Sequence, residues 1–300
     1  MKVILSENFR AVFYAPFYAC LTLGFFRQRG LDVSLVASPS PGAGIADMIK
    51  GSTHVVWGGP LRALKDRDTQ PAGPHSLVAF GEVAARDPFY LVGRTTLQPF
   101  NLTQLLQLKM ASVSEVVTPW LCLQHDLREL GIDPDMVGRS DDSTMAANLS
   151  RLADGSVDVA QIFEPYVTLA ERKGIGVPLH AAHRRGPTAY TTFLSTAENI
   201  ARYEFEFRAM GDAIESFMPW LESEGVSGLT RVVEPFYPAL ERSVIEQSLA
   251  RYHSAGIWAC RSRVSRLGFQ RLAQSMLSGG YIQRITPYEE CVATWAQQPV

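Results

Sequence analysis

The chain lacks the apolar run of about 20 residues that a membrane-spanning helix needs. Ala11 to Phe26 comes nearest to a signal-peptide core. However, Asn8, Arg10 and Gly24 interrupt the pattern, no small-x-small cleavage site follows, and Lys2-Val-Ile-Leu already reads as a strand. The expectation is a periplasmic protein if a signal peptide was removed before this numbering, and a cytoplasmic one otherwise. There is no Lys/Arg stripe; the net charge is −2 and the pI about 6.3, which argues against nucleic acid as a partner. The four cysteines, Cys20, Cys122, Cys260 and Cys291, are widely spaced and form neither CxxC nor a zinc spacing, so they read as buried inert thiols. No two histidines share ligand spacing with a carboxylate, and no metal site is expected. GxSxG, P-loop and GxGxxG motifs are missing from any appropriate setting. No cofactor and no catalytic residue is indicated, although a Ser–His–Asp arrangement is defined in space and stays open.

What is present is a phrase written twice. Met48-Ile-Lys-Gly51-Ser52-Thr-His54-Val55-Val-Trp57-Gly-Gly-Pro60 returns as Leu152-Ala-Asp-Gly155-Ser156-Val-Asp158-Val159-Ala-Gln-Ile-Phe-Glu164-Pro165. Each copy ends a helix at glycine, where a positive φ costs nothing. Each then runs a short apolar strand and restarts near a proline, which loses no hydrogen bond in a first helical turn. Two copies of one helix–strand–helix design imply two α/β lobes. The loops after those strands would lie where open α/β sheets bind ligands. A chain of 300 residues with 46% apolar and 19% charged content accommodates two such domains.

The rest of the chain fits this plan. Strands are expected at Val3–Leu5, Leu31–Val36, Val55–Trp57 and Ser76–Phe80, with helices between them, as in a parallel sheet. Val83 to Pro88 reads as a crossing into a second α/β unit. There the helix after Glu115 carries Val116, Trp120, Leu123, Leu127 and Leu130 on one face. Thr188–Leu194 reads as a second crossing. Helical periodicity then fills Phe205–Leu221, Val244–Tyr252 and Leu267–Leu277. The expected lobes are residues 1–85 with 190–300, and an inserted lobe at 89–185.

The opening Tyr14-Ala-Pro16-Phe17-Tyr18-Ala-x-x-x-Leu23-Gly24-Phe25-Phe26-x-x-x-Gly30-Leu31-Asp32-Val33 resembles the NMT1/THI5-like solute-binding proteins, the SsuA/ThiY-type receptors of ABC transporters for sulfonates, taurine, nitrate and thiamine-pyrimidine precursors. The resemblance continues at Gly51-Ser52-x-His54-Val55, Arg86-Asp87-Pro88-Phe89, Leu130-Gly131-Ile132-Asp133-Pro134 and Gly155 through Pro165. It implies a type II periplasmic-binding-protein fold: two α/β lobes joined by two crossing strands, closing on a small molecule. It further implies an ABC permease and ATPase as partners of a monomeric receptor with no membrane segment of its own. The alternative is an enzyme on the same fold, similar to the thiamine-pyrimidine synthases, whose cysteine-rich motif is missing here, or to aromatic-acid decarboxylases.

The expected cleft is lined by Asn8, Phe9, Tyr14, Ser38, Ser40, Trp57, Gly58, Ser114 and Glu164. Four helix starts should converge on it and offer N–H donors to an anion. Ser38, Ser40 and Ser114 add hydroxyls, unless they serve only as caps. Trp57, beside two glycines, offers a face for stacking a planar ligand, unless it packs beneath its loop. Tyr14 and Phe17 are similar. Glu164 could accept a hydrogen bond from an amine or cap its own helix. Arg86 and Asp87 could bridge the lobes or be solvated. The ligand expected is a small aromatic or heterocyclic molecule, pyrimidine-like, or a sulfonate or carboxylate.

Overall fold

The computed structural model describes residues 2–298. Strands β1 (Lys2–Glu7), β2 (Asp32–Ala37), β3 (Val55–Gly58) and β4 (Leu77–Ala84) alternate with helices α1 (Ala15–Thr22), α2 (Pro41–Ile49) and α3 (Leu61–Thr69). The chain then builds β5 (Tyr90–Gly93), β6 (Lys109–Ala111), α4 (Thr118–Glu129), β7 (Gly138–Arg139), α5 (Met145–Asp154), β8 (Val159–Ile162), α6 (Tyr166–Arg172) and β9 (Val177–Ala181). It returns as β10 (Thr191–Thr196). Helices α7 (Ala197–Arg202), α8 (Glu204–Glu215), α9 (Phe217–Val233), α10 (Arg242–Ser254), α11 (Arg266–Ser278) and α12 (Tyr288–Cys291) follow.

Two five-stranded sheets result, ordered β2-β1-β3-β10-β4 and β7-β6-β8-β5-β9. They share one plan. Three strands run parallel, then one antiparallel strand, β10 or β5, separates them from the last. A purely parallel sheet, expected from the alternation, is therefore corrected to a mixed one. The antiparallel strand in each sheet is the one that enters from the other half of the chain. The duplicated phrase falls on equivalent places, since β3 and β8 hold the same rank in their sheets. The glycine that ends the preceding helix has φ 78° in both copies, at Gly51 and Gly155. That is left-handed backbone, which glycine adopts without strain.

The chain passes between the sheets twice, after β4 and before β10. The two passages hydrogen-bond to each other: Thr188 N–H donates to the Ala85 carbonyl at 2.8 Å and Tyr190 N–H to that of Ala84 at 2.9 Å. Asp87, in the first passage, is fully buried and pairs with Arg185 of the second. Arg185 also donates from Nε to both carboxylate oxygens of Asp126 on α4, at 3.1 Å. Asp87 is therefore not solvated. Burial pushes the Asp87 carboxyl above its ordinary pKa, and Arg185 pulls it back. The C-terminal helices reach across: α11 packs on α4 and α10 on α6. Of the four thiols, Cys20, Cys122 and Cys291 are buried as expected, whereas Cys260 is exposed.

Two outcomes follow from these buried charges. Arg185→Gln leaves the Asp87 carboxylate without its cation, and should lower unfolding free energy by about 3–5 kcal/mol in urea titrations; a loss under 1 kcal/mol would refute the structural role. The second concerns Glu82, fully buried in β4. One oxygen accepts from Ser265 N–H at 3.1 Å and the other has no partner. Desolvation pushes this carboxyl up to about 8. The folded state therefore binds a proton that the unfolded chain releases near pH 4.3. The stability that proton carries is complete below that point and is lost as pH rises toward 8. Glu82→Gln should flatten the slope between pH 5 and 8, which parallel denaturation at both pH values measures.

Candidate ligand-binding site

A cavity of about 240 Å³ lies between the carboxyl ends of the two sheets. The loop after β1 brings Asn8, Phe9, Phe13 and Tyr14, and the turn from β3 into α3 brings Gly58, Gly59, Leu61 and Arg62. The second lobe contributes Ser114 to Thr118, from the loop after β6 to the first residue of α4. The passages supply Phe89, Tyr190 and Thr191, and the C-terminal region supplies Tyr281. Because β1 and β6 hold equivalent ranks, the loops that follow them face each other across the opening. The first N–H groups of α4 have no acceptor within their own helix.

Arg62 sets the electrostatics. Arg62 is half-buried; its Nε is buried without an acceptor, and among the described residues no carboxylate lies within 4.0 Å of the guanidinium. Desolvation lowers its pKa, while the Tyr14 and Tyr281 hydroxyls oppose that shift. A buried cation without a counter-ion is costly unless something pairs with it. Two other polar atoms of the lining have no partner, Asn8 Oδ1 and the Tyr190 hydroxyl. Burial raises the Tyr190 pKa well above its ordinary value, so the hydroxyl remains a neutral donor. The glycines of the β3–α3 turn make room. A Cβ on Gly58 would stand 3.3 Å from Arg62 Nε and 3.4 Å from Asn8 Nδ2, and one on Gly59 would meet the Tyr190 carbonyl at 3.0 Å.

Of the residues expected from sequence, Asn8, Phe9, Tyr14, Gly58 and Ser114 lie on this cavity. Ser38, Ser40, Trp57 and Glu164 do not. Ser38 and Ser40 follow β2, an edge strand, so their loop is off the centre of the opening. Their groups are used locally: the Ser38 hydroxyl donates to the Ser40 carbonyl at 2.6 Å, and the Ser40 hydroxyl caps α2 by accepting from Ala43 N–H at 3.2 Å. Trp57 is 0% exposed. Its indole stacks on Phe17 at 4.3 Å and 17°, and packs against Tyr14 and Tyr18. Only its carbonyl serves the site, by accepting from Asn8 Nδ2 at 2.5 Å. Phe17 is likewise core.

Glu164 is at the right end of β8 but fully buried under α10. It pairs with Arg251 at 2.5 Å and accepts from Thr168 N–H and the Ser248 hydroxyl at 3.0 and 3.2 Å. Sequence reasoning missed Arg62, Phe13, Tyr190, Thr191 and Tyr281. Arg62 did leave a signal. It stands in the first turn of α3, the positive end of that helix, where a cation is unfavourable without some other reason.

Neither thiol nor imidazole lines the cavity. Its one carboxylate, Glu115, accepts from Met145 N–H at 2.9 Å. Burial pushes the thiols of Cys122 and Cys291 up to about 12. Among the described residues no group of three or more His, Cys, Asp or Glu could hold a metal, and no helix is long and apolar enough to cross a membrane.

No family model matches the chain. It is 23% identical over 296 residues to YtlA of Bacillus subtilis (strain 168), which carries a provisional name as a binding protein; the match covers 97% of this chain and 87% of that one. The periplasmic aliphatic sulphonate-binding protein SsuA from Escherichia coli superimposes with a TM-score of 0.77 at 13% identity, over 97% of this chain and 96% of SsuA. The desulfurization enzyme DSZB superimposes with a TM-score of 0.68 at 13% identity, over 97% and 96%. The chain thus has the periplasmic-binding-protein fold, two α/β lobes of SsuA-like architecture, and that fold carries a binding protein and an enzyme among these neighbours.

The burial of Trp57 gives a clear expectation. Trp57→Ala should cost about 3–5 kcal/mol of unfolding free energy, as large core truncations do. A variant as stable as the wild type, with ligand binding alone weakened, would return the indole to the binding surface.

Proposed function

We propose that this protein is a solute receptor that captures a compact aromatic anion, a ring carrying a carboxylate or sulfonate, between its two lobes, and delivers it to an ABC permease and ATPase from the periplasm. The observation that carries this reading is Arg62, a half-buried guanidinium with no carboxylate partner among the described residues, on a cavity rich in aromatic rings. An anionic head would supply the missing counter-charge. Arg holds planar oxyanions in a bidentate fork. The rings of Phe9, Phe13, Tyr14 and Tyr190 would flank the apolar part. The volume of 240 Å³ is just below the ~300–1,000 Å³ of common ligand pockets, which suits a small solute. The sulphonate bound by SsuA is an anion too. Residues 89–185 would move as one lobe against the remainder, about the two passages, and the ligand would favour the closed arrangement.

The likeness to the NMT1/THI5-like receptors, read from the motifs, supports the same conclusion. Binding without chemistry is the reading favoured by a lining with no thiol or imidazole. The fold shared with DSZB makes turnover the alternative to test.

Benzoate, benzenesulfonate and benzyl alcohol should be compared in a thermal-shift screen. An anion present at a hundred times its dissociation constant should stabilise the fold by about 2.7 kcal/mol, and the alcohol by much less. Arg62→Gln should weaken the anion about 10- to 100-fold, the worth of a charge-assisted hydrogen bond. The same change should modestly raise the stability of the unliganded protein, because a half-buried charge without a counter-ion is gone. Unchanged anion affinity in that variant would overturn the reading. Product accumulation from a bound anion would replace the receptor with an enzyme.

A further inference from the structure

A second cavity, of about 400 Å³, opens on the far side of Phe9. It shares only Phe9 and Glu115 with the first. Like the first it lies between the lobes: Ala11 comes from the loop after β1, Met145 and Phe163 from the second lobe, and Leu240 from the segment before α10. Its chemistry is different. The two charged groups at its edge are both engaged, Arg10 with Glu7 at 2.9 Å and Glu115 with the Met145 N–H. Nothing here calls for a counter-ion, and the remaining walls are apolar apart from Tyr166 and Tyr237.

Phe9 is the partition. It is half-buried, whereas the neighbouring Phe13 is fully buried. Its ring lies 5.4 Å from Tyr14 and nearly parallel to Phe163 across the cleft, at 6.3 Å and 14°. It is thus the least enclosed ring of the loop and stands between a charged chamber and an apolar one.

We propose that the two cavities are halves of one ligand site: the first holds an anionic ring at Arg62, the second holds an apolar tail carried by the same molecule, and the Phe9 side chain moves aside to join them. The ligand class becomes an amphipathic anion, an aryl carboxylate or sulfonate extended by an alkyl or second apolar group. The inference rests on the anion reading of the first cavity, and the test separates the two.

Affinities are measured by calorimetry for 4-alkylbenzoates from methyl to hexyl, and for the matching neutral 4-alkylbenzyl alcohols. Each methylene that enters an apolar chamber should tighten binding about fourfold, so the benzoate series should climb over its first few members. Ala11→Leu and Leu240→Trp fill the second chamber from different walls, and circular dichroism checks that each folds. Both should abolish the chain-length gain and leave methylbenzoate within about twofold of the wild type. A flat wild-type series, or a gain that survives in both filled variants, overturns the proposal. If carboxylates bind no better than alcohols, the Arg62 reading fails, and the chain-length gain among the alcohols still decides the second chamber. If neither series binds, both readings fail.

Discussion

The architecture depends on one joint. Arg185, on the return passage, holds Asp87 of the outward passage and Asp126 of α4 at once. The two passages between the sheets would otherwise be free to splay, because each contributes few backbone bonds to the other. A guanidinium satisfies two carboxylates in a plane, which fixes direction as well as distance. With α4 tied to both passages, the loop after β6 is brought over the loop after β1. The cavity is the space left between those loops. Lysine, a point charge on a flexible stem, could not impose the same geometry.

The two lobes begin as copies and end as different objects. Their sheets have the same strand order, and the repeated phrase puts equivalent loops after β3 and β8. The loop after β3 stays on the cavity because Gly58 and Gly59 let Arg62 and Asn8 come close. The loop after β8 is covered by α10, whose Arg251, Ser248 and Tyr252 take up the Glu164 side chain and backbone N–H. The C-terminal helices, which have no counterpart in the inserted half, break the symmetry. They also tie α10 to α6 and α11 to α4, so any closure of the lobes would have to bend or shear these contacts as well as the passages.

This difference explains what could be read from the sequence. Element type and order were legible, because glycine stops, proline starts and apolar periodicity are local signals. The two crossings were legible for the same reason. Cavity membership was legible for Asn8, Phe9, Tyr14, Gly58 and Ser114, which follow central strands. It failed where rank within the sheet or a distant helix decides. Ser38 and Ser40 follow a strand that the fold places at an edge. Glu164 holds the place before a proline that Gly59 holds in the first copy, and α10, some eighty residues on, covers it. Trp57 was misjudged because two glycines beside an indole suggest open space, whereas Tyr14, Phe17 and Tyr18 of the first helix region fill it. Arg62 was overlooked because a single arginine in a helix looks solvated until its neighbours are known.

Under the proposed function, Arg62 would also link stability to binding. A buried cation without a partner opposes the compact state, and more so the more completely water is excluded. In the unliganded protein, closing the lobes would therefore deepen the penalty on Arg62. An anion reverses the sign: once paired, the guanidinium gains from the same exclusion, because a charge pair attracts more strongly in a low-dielectric site. The ligand would then bind the closed state better than the open one, and a difference in affinity is the only means by which a ligand shifts a conformational equilibrium. Neutral molecules of the same shape would fill the cavity without removing the penalty. Under the proposed function, selectivity for an anion and closure upon binding would have a single physical origin, the Arg62 guanidinium, which no carboxylate among the described residues pairs.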